Sequence, residues 1–526
     1  MFPGEIYFNN DKQWASNVES ATMEGMFEAC LYGEQGTDEN IGLDMRGFNC
    51  TNVTNMVETF AYTPFFTNIN LGPEDQFDTA KCKNMDGMFR FCGSLNSTGN
   101  IYNTTAGDEK HFPTFTFSAD TIVTSMFQGA NIPVDLTNAK SIPEAADGVS
   151  GLSVISDYSR MFCDYGFYVL PKILDRRGEI FLNIDLVKSG DTWTPPDGST
   201  MEEMFRGCKA NVDLSALDVK NVTNFYAMFM SFGNIDQLDI LEFKPGEITW
   251  PSKWKTNTEN VIDMSCMFKG YKGKDNLSEL FTENFETSNV VNMSEMFRGC
   301  KVLKLDLSNF NTAKVVDMSY MFSNEFLRPS YLTEVTFGDN FINENSVVKD
   351  MSYMFGSAIV DNEYLNIINC NADWAEIIEA NGIACEGMFA GCRELAGNGN
   401  NPEIVTIYDP DHVTYEYAKP SYKDTDGVIH KGYFTGTPKN LVGVKVENKL
   451  ESLSDAKSLS ENETIKNPEE ETATDEPVVV DDGEVVELNN EEAIQPLIES
   501  ASFAILNVLN PAGFAVYNLF EFVVNL

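Results

Sequence analysis

Along this chain the apolar residues recur in one grouping: a single apolar position, two polar ones, then two apolar positions together. The plainest instances are Asn292-Met293-Ser294-Glu295-Met296-Phe297 and Asp317-Met318-Ser319-Tyr320-Met321-Phe322. Anchored on the closing Phe, the grouping occurs twelve times, at Phe27, Phe60, Phe89, Phe127, Phe162, Phe205, Phe229, Phe268, Phe297, Phe322, Phe355 and Phe389. The steps run from 24 to 43 residues with a mean of about 33, inside the window in which self-similarity marks stacked repeats. Apolar positions at i, i+3 and i+4 form one stripe on a helix, so each copy is predicted to be a short amphipathic helix. The residue ahead of the stripe is Asn, Asp or Thr in ten copies, as an N-cap requires. Gly299 and Gly391, soon after the Phe, read as helix stops.

A second half-motif precedes several copies. It reads Leu305-Asp306-Leu307-Ser308-Asn309-Phe310 and Val212-Asp213-Leu214-Ser215, with a degenerate version at Leu43-Asp44-Met45. Alternation of apolar and polar residues predicts a short strand. Each unit then becomes strand, turn, helix, turn. One such unit cannot bury its apolar face alone, so neighbours must stack into a continuous core. The predicted fold class is an α/β repeat solenoid, a leucine-rich-repeat-like stack of short strand plus short helix units. The predicted core includes Met293, Met296, Phe297, Met318, Met321, Phe322, Met351, Met354 and Phe355. At the usual strand separation, twelve units would extend roughly 55–60 Å.

The string from Leu305 to Phe322, Leu-Asp-Leu-Ser-Asn-Phe-Asn-Thr and then Val-Val-Asp-Met-Ser-Tyr-Met-Phe, resembles a known repeat. It is similar to the repeat of about 26 residues in BspA-type leucine-rich-repeat proteins of bacterial surfaces, also catalogued as a domain of unknown function numbered 285. The likeness is close in the copies ending at Phe297, Phe322 and Phe355, and weak at Phe127 and Phe162. The resemblance implies a surface-exposed adhesion or recognition protein without enzymatic activity. Members usually carry a signal peptide and an anchor. Here the start, Met1-Phe2-Pro3-Gly4-Glu5-Ile6, has no basic or apolar leader region, so no secretion signal is expected. Long insertions also depart from the compact period.

Composition sharpens this reading. Of 22 Met, 19 fall in the two stripe positions, which assigns them to the core and not to copper or to a Met-rich groove. Five of the 11 Cys (Cys30, Cys92, Cys208, Cys300 and Cys392) lie three residues after a repeat Phe. Intervening copies lack the residue, so these thiols are expected to be free, small core hydrophobes rather than disulfides or a metal ladder. With no C-x-x-C pair, a protein folded in a reducing cytoplasm is expected. The three histidines, His111, His412 and His430, avoid every stripe, and no nucleophile-elbow, P-loop or zinc-protease motif is recognisable. The chain is therefore expected not to be an enzyme and to need no cofactor or metal. Asp424-Thr425-Asp426-Gly427 lacks the remaining ligands of a calcium loop and reads as a polar turn.

Trp193, Trp250 and Trp254 lie in Pro-containing insertions outside the stripes. Repeat insertions often form the binding face and Trp is enriched at hot spots, so these three are the ligand-contact candidates. The competing role is to cover the core.

The predicted organisation is an N-terminal cap (1–20), the repeat array (21–395), a strand-rich C-terminal cap (396–440), an acidic linker (441–492) and an apolar helical tail (493–526). Residues 447–492 carry 16 acidic and three basic side chains, which predicts an extended segment. The tail holds two charges and two apolar blocks, each too short to span a bilayer. Its Phe503, Leu506, Leu509, Phe514, Phe520 and Phe522 are read as a docking or oligomerising surface. No transmembrane span is expected. The net charge of −44 makes nucleic acid a poor partner. Two functions follow as expectations. One is a surface-displayed rod that binds protein or glycan on a host or neighbouring cell through its insertions. The other is a structural component of a bacteriophage virion, fibre or decoration, docked through the tail; either location, cell surface or virion, fits.

Overall fold

The computed structural model describes residues 5–7, 19–30, 41–63, 66–93, 100–104, 110–166, 183–233, 246–250, 257–273, 277–282, 285–325, 330–399 and 401–438. Within them the chain forms a strand-rich repeat fold of short strands in small, mostly parallel sheets. The half-motif strands pair with those of the neighbouring copies. Ile41–Asp44, Phe66–Asn70 and Asn100–Thr104 run parallel with Leu43, Ile69 and Ile101 in register. A second group aligns Val134, Ile184, Val212 and Ile248, and a third aligns Leu305, Val335, Ile368 and Phe434. In all three rows the aligned residue is buried. Period-2 alternation thus places one apolar side chain of each paired strand in the core, followed by an Asp, Asn, Thr or Tyr. In the copy of Phe268 a helix, Leu277–Thr282, takes the strand's place and inserts Phe281 against Phe268 and Phe297.

The repeat motif itself is not helical, which corrects the expectation of one short helix per unit. Around Phe297 the N–H groups of Met293, Glu295, Phe297 and Gly299 donate to carbonyls of the next copy, each at 2.9 Å. The intervening Met296, Arg298 and Cys300 donate to the residue three earlier at 3.1–3.3 Å. Successive tight turns therefore alternate with rungs of an inter-copy ladder. Glu295 and Gly299 adopt left-handed φ of 57° and 64°. A positive φ at the third residue of a turn marks type II geometry and interrupts any α-helix. The same position, two before the Phe, is left-handed in every copy: Gly25, Glu58, Gly87, Ser125, Arg160, Glu203, Ala227, Cys266, Glu295, Tyr320, Tyr353 and Gly387. A stripe at i, i+3 and i+4 is satisfied equally by these turns, which turn Met293, Met296 and Phe297 inward.

The polar residue ahead of the stripe does accept an N–H, though as an Asx turn and not as a helix cap. Asn292 Oδ1 takes the Ser294 N–H at 3.0 Å, and Asp317 and Asp350 take those of Ser319 and Ser352 at 2.8 Å. These residues also bridge one another in parallel from Asn224 through Asp263, Asn292 and Asp317 to Asp350.

Inside, the twelve Phe rings form one column. Successive centroids lie 5.2–5.9 Å apart with planes within 13° of parallel, from Phe27–Phe60 through Phe355–Phe389. Met293, Met296, Met318, Met321, Met351 and Met354 are buried beside it with Phe297, Phe322 and Phe355. Residues 396–438 close the end. Their Tyr433 and Phe434 meet the Phe389 ring edge-on at 5.1 and 6.4 Å, and the Phe389 N–H donates to the Val413 carbonyl. The linker and tail of the sequence reading, including Phe503, Leu506, Leu509, Phe514, Phe520 and Phe522, lie outside the described residues.

Candidate recognition edge

The link from each repeat motif to the next strand varies most in length. The strand starting at Asn211 begins six positions after Phe205, whereas the one starting at Asn183 begins 21 positions after Phe162. These links start from one column. Four residues after the Phe, Asn131, Gly166, Lys209, Gly233, Lys272 and Lys301 each donate an N–H to the carbonyl three residues after the preceding Phe, at 2.8–3.1 Å. At the equivalent Gly93, a Cβ would stand 2.5 Å from the Asn131 carbonyl oxygen, and φ is 114°, so this corner needs glycine. Backbone pairing thus gathers links of unequal length on one edge of the stack.

Next to this corner the turn ladder carries charged networks. Glu203 accepts from Arg160 at 3.1 Å and from Arg206 at 3.0 Å. Glu295 accepts from Lys269 at 2.6 Å and Arg298 at 2.8 Å. Burial alone would raise both carboxyls, but the cationic partners overcome it and hold both below the usual Glu range. Arg298 also lies 5.0 Å from the Tyr320 ring, which stacks on Tyr353 at 5.2 Å. On the strand face Asp185 falls in register between Asp135 and Asp213. Burial and then these two carboxylates push its pKa up.

Of the three tryptophan candidates, Trp193 and Trp250 fall among the described residues, and both pack against the core. Trp193 is fully buried; its Nε1 donates to the Tyr158 hydroxyl at 3.0 Å, and the rings pack edge-on. It fills space above the Tyr158 copy, where a large aromatic with a polar handle is satisfied by a buried hydroxyl, so it is no surface contact. Trp250 is half-buried and packs edge-on against Phe229 at 5.2 Å. Trp254 lies outside the described residues. Asp424 closes a polar hairpin turn: its side chain takes the Asp426 and Val428 N–H groups and faces His430 Nε2 at 2.8 Å. His412 stacks on Tyr417, and His111 faces Glu74 at 3.8 Å. All eleven cysteines are free thiols and nine of them are buried. What sequence reasoning missed on this edge is Lys301, Tyr331 and Tyr364, which stand outside the Met/Phe motif. Each lies four residues before a buried strand residue (Leu305, Val335 and Ile368), and that common offset was the available signal.

With the strand rows and the Phe column in place, the sequence matches become interpretable. Residues 21–132, 179–254 and 251–365 match the family described as Mycoplasma protein of unknown function, DUF285. The chain belongs to this family. The matches span more than half of the sequence and take in every copy except those of Phe162 and Phe389. Both rings nevertheless continue the column, at 5.5–5.6 Å from their neighbours, so the column of this chain extends past the matched segments. No curated protein and no solved structure matches the chain. Among the described residues no helix is long and apolar enough to cross a membrane.

Proposed function

We propose that this DUF285 member is a BspA-type solenoid without enzymatic activity, displayed at a surface, that recognises a protein or glycan through the edge from which its variable links depart. The observation that carries the reading is the hydrogen-bonded column from Asn131 to Lys301, which gathers links of unequal length on one side of a regular core. A regular core from whose hydrogen-bonded corner links of unequal length depart separates stability from recognition. The core supports the same division: the Phe column and its Met shell are continuous from copy to copy.

The test uses the full chain. The link between Gly166 and Asn183 is shortened to the length of that between Lys209 and Asn211, and binding of labelled protein to intact cells is followed by flow cytometry. Loss of binding with an unchanged melting temperature supports the reading. Undiminished binding after shortening this link and the one from Gly233 to Gly246 overturns it.

A further inference from the structure

Three consecutive copies carry related segments on the departing edge: Lys301-Val302-Leu303-Lys304-Leu305, Tyr331-Leu332-Thr333-Glu334-Val335 and Tyr364-Leu365-Asn366-Ile367-Ile368. The register of Leu305, Val335 and Ile368 gives Lys301, Tyr331 and Tyr364 the same offset from neighbouring strands. They form a row. Lys301 Nζ is 5.3 Å from the centroid of the Tyr331 ring, and the Tyr331 and Tyr364 rings are 5.0 Å apart with planes 33° from parallel. Tyr364 is 39% exposed and Tyr331 is partly exposed. Two residues along each segment, Leu303, Thr333 and Asn366 form a second row, joined by backbone bonds from Thr333 to Leu303 and from Asn366 to Thr333. The Thr333 hydroxyl donates to the Leu303 carbonyl at 2.9 Å, so its oxygen remains an acceptor for an incoming donor.

We propose that this double row binds a neutral glycan, with the partly exposed Tyr364 ring, backed by Tyr331, taking the apolar face of a sugar unit and Thr333 and Asn366 bonding its hydroxyls. The assignment rests on the reading of this edge as the recognition edge, and it names the ligand class. A pyranose has a C–H face and a rim of hydroxyls, so it needs aromatic surface with donors and acceptors beside it at short range. The two rows supply both within three copies. Charge favours a neutral ligand: Lys304 is paired with Glu334 at 2.7 Å and Arg393 with Asp361 at 2.6 Å, so these two cations are already matched by carboxylates. A protein partner would require about 800 Å² of contact on each side with an apolar centre. In these rows Leu303 is the only strongly exposed aliphatic side chain.

The experiment compares full-length protein with the Tyr331→Ala/Tyr364→Ala and Tyr331→Phe/Tyr364→Phe double variants. The probes are immobilised neutral hexasaccharides of β-linked glucose, galactose and N-acetylglucosamine, and intact cells with and without periodate treatment. At least one hexasaccharide is expected to bind, the Ala pair to weaken it by more than about tenfold, and the Phe pair to stay within about threefold. Melting curves should agree for all three proteins, which separates lost contact from lost fold. If the Ala pair melts early, the Phe pair together with Thr333→Val, which removes a sugar acceptor, carries the comparison; binding unchanged in both overturns the proposal. Cell binding that survives periodate and the Ala pair, with no hexasaccharide bound, also overturns it and leaves the edge as a protein-binding surface. Failure of the intact protein to bind any cell or hexasaccharide overturns the reading of the edge itself.

Discussion

The Tyr353 ring lies over Gly387: a Cβ built on that glycine would stand 2.4 Å from the ring's Cε1. Tyr353 occupies the left-handed position two before its Phe, and Gly387 occupies the same position in the next copy. From that backbone geometry the side chain reaches forward across the neighbouring turn, and the neighbour must be small. Phe91 relates to Gly129 in the same manner, four residues further along the motif, at 2.2 Å.

Gly387→Ala should therefore destabilise twice over. The left-handed backbone costs an L-residue about 1–2 kcal/mol, and displacing the ring adds an overpacking cost of about 1–3 kcal/mol. In a Tyr353→Ala background only the first cost should remain. A double-mutant cycle by urea denaturation measures the difference; equal costs in both backgrounds would show that the ring is not the obstacle.

Phe322 stacks between Phe297 and Phe355 at 5.7 and 5.4 Å and is fully buried. Phe322→Ala should cost about 3–5 kcal/mol, since it opens a cavity that two fixed neighbours cannot close. Because each copy contacts only its neighbours, amide exchange should rise in residues 293–355 before it rises near Phe60. Uniform acceleration along the array would argue against this local coupling.

Opposite pH responses should come from Asp185 and Glu203. The folded pKa of Asp185 is raised above the ordinary value of 3.8 by burial and by Asp135 and Asp213, so its charge opposes folding at neutral pH and the penalty is relieved as pH falls through the folded value. Glu203 is held below its ordinary 4.5 by Arg160 and Arg206, so its contribution is present at neutral pH and lost as pH falls through that lower value. Asp185→Asn should raise the melting temperature at pH 7 and Glu203→Gln should lower it. Both differences should shrink in acid, where all carboxyls are protonated. An Asp185→Asn protein that melts lower at pH 7 would refute the carboxylate-ladder account.

Thiol labelling should divide the cysteines. Burial pushes Cys92, Cys208 and Cys300 up to about 12, whereas Cys30 and Cys385 are partly exposed and raised less. With iodoacetamide at pH 8, peptide mapping should find Cys30 and Cys385 modified first, and Cys92, Cys208 and Cys300 only on unfolding. Early modification of Cys300 would contradict its place beside the Phe column.

Much of the fold was legible because the motif repeats. Strand Lys304–Leu307 falls where Leu305-Asp306-Leu307 predicts it, and the Met and Phe positions lie inside. The proposed recognition edge was less legible. Trp193 drew attention as a large aromatic in an insertion, yet nothing local announces that the Tyr158 hydroxyl waits to satisfy its indole N–H. Tyr331 and Tyr364 lie 33 residues apart and become neighbours only through strand register.

By itself the sequence determined the number of copies, their spacing and the identity of the core, because a side chain's hydrophobicity and its place in a period are local properties. It also held a trace of the turn geometry: no β-branched residue stands two before any repeat Phe, where left-handed backbone would disfavour it. Only the tertiary structure decided between helix and turn ladder. Both bury the same i, i+3, i+4 stripe and differ in where the backbone N–H groups go, to the fourth residue back in a helix or, at alternate residues, to the carbonyls of the next copy. Those carbonyls exist as partners only once the copies have stacked.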